Sequence, residues 1–166
     1  MPQIKEWKFE AFAIGDLTAQ KISFSIDEHD YLMMFSPVAT TYDDGVALEE
    51  KQAEFGMVFP ANAFEMKFDR EDNFIAGDLF VPPSDREKQL SYKQLSRLGN
   101  AINQILAFHM STTSAQLYLA IAENPKLRSF YNGLAKKHAH TLNCSVTSNL
   151  GEEGLGYAIR TPHFQS

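Results

Sequence analysis

Residues 90–110, LSYKQLSRLGNAINQILAFHM, constrain the fold more than any other stretch, because the start, the buried face and the end of one element can all be read from chemistry. Ser91 is placed to accept a hydrogen bond from the backbone N–H of Gln94 while the Gln94 side chain reaches back, and Leu90 and Leu95 stand where a hydrophobic staple would fix the entering chain. From there Leu95, Leu98, Ile102, Ile105, Leu106 and His109 recur at helical spacing. Residues 111–114 break the pattern. Ser84 with Glu87 offers a second capping box, but residues 85–89 are polar on every face, so the later start is the one predicted. The expectation is a core helix that needs another layer to cover its apolar face.

Upstream, the chain reads as strands. Trp7, Phe9 and Ala11 alternate with Lys8 and Glu10, and after Gly15-Asp16 come Ile22, Phe24 and Ile26 alternating with Ser23 and Ser25. After 27–30 (DEHD), residues 31–35 are a short apolar run, and Asp44-Gly45 predicts a hairpin between strands at 38–42 and 46–50. Phe55, Met57 and Phe59 follow, then Phe64, Met66 and Phe68 pair across DREDN with a strand at 75–81. Pro82-Pro83 ends the pairing, since proline has no N–H for a ladder. Downstream, residues 115–122 (AQLYLAIA) are read as a strand from the alternation of Leu117, Leu119 and Ile121. Asn124-Pro125 starts a second amphipathic helix through Leu127, Phe130, Tyr131, Leu134 and His138 to about Leu142. Residues 144–148 and 155–161 are expected to close the fold as a hairpin. The predicted class is α+β: an antiparallel β-meander of about six strands packed on a central amphipathic helix, followed by strand, helix and β-hairpin.

A length of 166 residues with 44% hydrophobic content suits one domain over 1–166. Its halves differ in charge. Residues 1–83 hold sixteen acids against six bases and residues 84–166 five against nine, so an acidic strand-rich half meets a basic mixed half. The net charge of −6 argues against non-specific DNA binding. No run of about 18 apolar residues is present to span a bilayer, and the start MPQIKEWKFE lacks a secretory layout, so a soluble, cytoplasmic protein is expected. Cys144 is the single cysteine, which excludes an intrachain disulfide.

Motifs that carry chemistry are few. His138 and His140 lie near Cys144, but residues two apart on a helix point roughly 200° from one another and cannot share an ion. Asp27, Glu28, His29 and Asp30 form a contiguous run expected to stay solvated. Asp69, Glu71 and Asn73 begin like a calcium loop, then Phe74 stands where its glycine belongs and Phe80 where its bidentate glutamate belongs. Residues 151–156, GEEGLG, place two acids inside a glycine-rich turn, where they would repel a phosphate. Phe55, Phe59, Phe64, Phe68, Phe74 and Phe80 could line an apolar cavity, but a half-buried sheet requires such residues in any case.

Two segments resemble known families. Residues 117–135 (LYLAIAENPKLRSFYNGLA) resemble the later part of GNAT-type N-acetyltransferases, in which a strand ends near an asparagine and a helix carrying a tyrosine follows. That resemblance implies acetyl-CoA as cofactor, Tyr131 as general acid toward the leaving thiolate, and Gly99, Asn100, Ala101 and Asn124 as cofactor-binding positions. Ser96 stands where the family's pyrophosphate loop has Arg or Gln, and strands stand where that family has two helices. Residues 64–109 resemble the end of type III secretion chaperones, small acidic dimers that bind extended segments of other proteins. The two resemblances give the helix at 90–110 different tasks.

The leading functional expectation is therefore a non-catalytic protein-interaction module, an inhibitor, immunity-type or chaperone-like binder. Its contact surface would be an acidic sheet face carrying Asp27, Glu28, Asp30, Glu49 and Glu50. The partner expected is another protein, with a homodimer left open, and neither cofactor nor metal. The alternative is a GNAT-like N-acyltransferase using acetyl-CoA, with Tyr131 as its catalytic residue.

Overall fold

The structure, a computed structural model, describes residues 3–4, 7–14, 17–42, 45–70, 91–122, 125–138, 142–151 and 153–164. The strands are β1 (Gln3–Ile4), β2 (Glu10–Ile14), β3 (Leu17–Ile26), β4 (His29–Pro37), β5 (Ala63–Arg70), β6 (Leu117–Ile121), β7 (Ser145–Leu150) and β8 (Gly156–Arg160). The helices are α1 (Val38–Thr41), α2 (Gly45–Phe55), α3 (Tyr92–Thr113) and α4 (Pro125–His138). The fold is α+β, with one mixed sheet in the order β1-β3-β4-β5-β6-β8-β7 and β2 pairing beside β1 on the edge of β3.

α3 begins as its sequence dictates. Ser91 caps it, with its Oγ accepting from the Gln94 N–H at 3.2 Å and the Ser91 N–H donating to Gln94 Oε1 at 2.9 Å. Its end comes three residues later than expected, at Thr113, where Ser114 takes a left-handed conformation (φ 55°) and donates its N–H to the Met110 carbonyl. Thr112 and Thr113 continue the helix, with their hydroxyls donating to the carbonyls of Phe108 and His109. Ser91→Ala should lower stability by about 1 kcal/mol in a urea titration. An unchanged midpoint would mean that packing alone sets the start of α3.

The buried face of α3, with Leu98, Ile102, Ile105, Leu106 and His109, lies on one face of the sheet. That sheet face is built from Ile22, Phe24 and Ile26 of β3, Tyr31, Met33 and Phe35 of β4, Phe64 and Met66 of β5, Tyr118 of β6 and Tyr157 of β8. Leu95, counted with the apolar face from its spacing, is 40% exposed. The opposite sheet face carries a smaller core of Ala63, Leu117, Leu119 and Ala158 against Val38, Leu48 and Phe55 from α1 and α2.

The segment 38–55 corrects the sequence reading. In place of two strands around an Asp44-Gly45 turn, Val38–Thr41 is one helical turn and Gly45–Phe55 a helix, and Asp44 lies outside the described residues. The run ALEEKQAE consists of strong helix formers, and their propensity, together with Leu48 and Phe55 seven residues apart, outweighs the hairpin signal. Strand β2 is also shifted, starting at Glu10, while Phe9 packs before it on Phe35 and Phe108. Strand β6 and the closing β7–β8 hairpin form where alternation placed them, and helix α4 starts at Pro125 as expected but ends at His138, short of Leu142. The expected strand at 75–81, Leu90 and the Ser84–Glu87 box lie outside the described residues.

Candidate functional site

The five acids expected to share a sheet face fall in two places. Asp27 and Glu28 form the turn between β3 and β4, where Asp27 adopts φ 54°, and Asp30 follows at the start of β4. Arg97 of α3 grips Asp27 with both nitrogens, Nη1 donating to Oδ1 at 2.7 Å and Nη2 to Oδ2 at 2.6 Å, and Gln94 Nε2 donates to Oδ2 at 3.0 Å. The Arg97 hydrogen bonds, with help from Gln94, hold the Asp27 carboxyl below its ordinary range. Asp27 therefore fastens the β3–β4 turn to the first two turns of α3. Asp30 accepts from Ser25 Oγ at 2.6 Å, and Glu28 reaches the His29 ring at 3.3 Å while staying 74% exposed.

Glu49 and Glu50 stand on α2, which enters the chain after the other end of the nine-residue strand β4. An extended strand of that length spans roughly 30 Å. One acidic sheet face therefore does not form, because the segment expected to supply its second half is helical. Glu49 and Glu50 share an outward helical stripe with Val46 and Ala53, all exposed. On the sheet face under α2, Glu65 is buried and satisfied, accepting from the Tyr42 hydroxyl at 2.9 Å with Lys67 Nζ at 3.5 Å.

The residues tied to acyl transfer are also placed. Gly99, Asn100 and Ala101 lie in the middle of α3, where helix geometry commits their N–H groups to the carbonyls of Leu95, Ser96 and Arg97. Inside a helix those N–H groups do not make the pyrophosphate cradle that the resemblance implies. Asn124 lies outside the described residues. Tyr131 is buried on α4, its ring 5.9 Å from that of Phe68 and 5.4 Å from that of Tyr157. It stands beside the parallel pair β5–β6, which is in register only over Ala63–Glu65 and Leu117–Leu119, whereas β5 continues to Arg70. A cavity of about 50 Å³ opens there among Met66, Asn103, Tyr131, Cys144 and Tyr157, and the buried Oδ1 of Asn103 has no hydrogen-bond partner among the described residues. Burial pushes the Cys144 thiol up to about 11, which keeps it protonated and weakly nucleophilic at neutral pH.

Sequence reasoning placed His109 on the core face but missed its partners. The ring is fully buried, stacked on Phe35 with centroids 3.9 Å apart and met edge-on by Phe9 and Phe64. Gln20 Oε1, an acceptor, lies 3.2 Å from Nε2, so Nε2 carries the proton. Nδ1 then accepts from the Tyr118 hydroxyl at 2.6 Å. Burial lowers the His109 pKa to about 4 and raises that of Tyr118. A neutral imidazole packed among three phenylalanine rings braces β3, α3 and β6. Gln20 is 89 residues from His109 in sequence, too distant for any local signal to show the pair.

Among the described residues, no group of three or more His, Cys, Asp or Glu side chains could hold a metal ion, and no helix is long and apolar enough to cross a membrane. Comparison with protein-family models, curated proteins and solved structures gives no significant match to this chain.

Proposed function

We propose that this chain is a non-catalytic protein-interaction module and that α2 presents its contact face. One observation carries the proposal: the outward stripe of α2 sets the carboxylates of Glu49 and Glu50 between exposed Val46 and Ala53, with Val58, 80% exposed, on the loop that follows. Apolar side chains flanked by charge suit a docking surface whose centre desolvates while its rim selects a partner carrying basic groups. The chemically versatile side chains His109, Tyr118 and Cys144 are meanwhile occupied in packing.

The test begins with sedimentation, to learn whether the partner is a second copy of the chain, and continues with a photo-crosslinker at Ala53 to identify any other protein bound there. Titrated with the purified partner, Glu49→Lys with Glu50→Lys should weaken association by roughly 1–2 kcal/mol at low salt and reduce its salt dependence. Unaltered affinity and salt dependence in the double variant would remove α2 as the contact face.

A second function, acetyl-CoA-dependent N-acyl transfer, is supported by one observation, the parallel β5–β6 pair that stops pairing beside Tyr131. Acetyl-CoA at a hundred times its dissociation constant would add about 2.7 kcal/mol to the folded state. A saturable rise in melting temperature with acetyl-CoA, lost in Tyr131→Phe, would favour this function over the interaction module.

A further inference from the structure

We propose that the groove between α4 and β7 is a second docking site, one that takes an extended acidic peptide segment. The groove has a volume of about 480 Å³. It is lined by apolar Ala135 and Val146 together with Arg128, Asn132, Lys136, Ser148 and Asn149. Two cations and no carboxylate line it among the described residues. The walls are also rich in donors. Asn149 Oδ1 accepts from Arg128 Nη2 at 2.7 Å, and Asn132 Oδ1 accepts from the Tyr157 hydroxyl at 2.7 Å. Both amide oxygens are thus engaged within the protein, which leaves the NH₂ groups as the amide donors an anion could use beside the guanidinium and the ammonium. A lining of this kind selects anions.

The spacing selects the shape of the anion. Arg128 and Lys136 are eight residues apart on α4, so two helical turns, about 12 Å along the axis, separate their Cα atoms. No single phosphate or carboxylate spans that distance. In an extended peptide, side chains at i and i+4 project to the same face about 13 Å apart, which matches. β7 is the last strand of the sheet order and pairs only with β8 among the described residues, so a chain lying in the groove runs beside a sheet edge, a common mode of peptide capture. The bulge between Thr147 and Leu150 interrupts that edge. Recognition therefore falls mainly to the side-chain carboxylates, with the peptide's aliphatic parts over Ala135 and Val146. The site lies in the basic half of the chain and does not depend on α2, so loss of the Glu49 and Glu50 result would leave it standing.

The experiment is fluorescence anisotropy of the full chain with a labelled peptide, Ser-Glu-Thr-Val-Thr-Glu-Ser, whose acids are four residues apart. Saturable binding that weakens with salt is expected. Arg128→Gln and Lys136→Gln should each reduce affinity about three- to fivefold, and the double variant about tenfold or more, while Lys93→Gln on the exposed start of α3 leaves it unchanged. Arg128, Lys136 and Lys93 are all exposed, and a thermal melt of each variant would check that it folds. Moving the two acids next to one another should cost about as much as one cation. Absence of saturable binding, full affinity in the double variant, equal affinity for the adjacent-acid peptide, or equally tight binding of inorganic pyrophosphate would each overturn the proposal.

Discussion

Replacing His109 by alanine should lower the free energy of unfolding by about 3–5 kcal/mol in a urea titration, because the loss combines a cavity beneath three aromatic rings with two stranded polar groups. The Tyr118 hydroxyl and Gln20 Oε1 would both lose the ring nitrogens that now satisfy them. The native protein should also lose stability on acidification in a defined window. An unfolded histidine takes up a proton near pH 6.5, whereas the buried ring resists protonation until about pH 4. Between those values the unfolded chain binds more protons than the folded one, so stability falls as pH falls, by about 3 kcal/mol across the window. The alanine variant should lack that slope. Tyr118→Phe, which keeps the ring and removes only the hydroxyl, should cost about 1–3 kcal/mol and retain the slope. If the alanine variant fails to fold, the acid titration of Tyr118→Phe still reports on His109. A wild-type stability flat between pH 6.5 and 4 would show that His109 is not held neutral.

Gly156→Val should destabilise by about 3 kcal/mol, with the damage centred where α2 meets the sheet. A Cβ at position 156 would lie 2.9 Å from the Leu150 carbonyl oxygen and 2.9 Å from Cζ of Phe55. The first contact is backbone, held by the β7–β8 ladder in which Leu150 faces Gly156, so it cannot yield without moving the strand. Phe55 can yield, but only by leaving the pocket made by Ala63, Leu119 and Ala158. Combining the change with Phe55→Leu should therefore recover only part of the loss. Complete recovery would show that the side chain alone is tight and that the hairpin has slack.

Both predictions turn on contacts that no pattern over one to four residues reveals, and the same distinction separates what was legible beforehand from what was not. The start of α3 was legible because the capping box joins Ser91 to a residue three positions away. The strand at β6 and the helix at α4 were legible from alternation and from Pro125 at a helix start. Residues 38–55 were misread because Asp44-Gly45 is a good hairpin signal in isolation, whereas the helix propensity of ALEEKQAE and the packing of Leu48 and Phe55 with the core under α2 both favour the helix. The candidate acids were visible as residue types, but their grouping was not. Nothing in the run 27–30 indicates that Asp27 is clamped by Arg97, 70 residues away.

Local chemistry by itself determined the α+β class, the core helix with its cap and most of its buried stripe, and the closing strand, helix and hairpin. Those features follow from interactions over one to four residues, whose energies depend little on the rest of the chain. The tertiary structure alone decided the parallel placement of β6 beside β5, the burial of His109 as a neutral brace, the separation of the two acidic patches, and the donor-lined groove between α4 and β7. Each of these depends on which side chains meet across the sheet, and burial then turns the same residue types into packed, ion-paired or exposed groups.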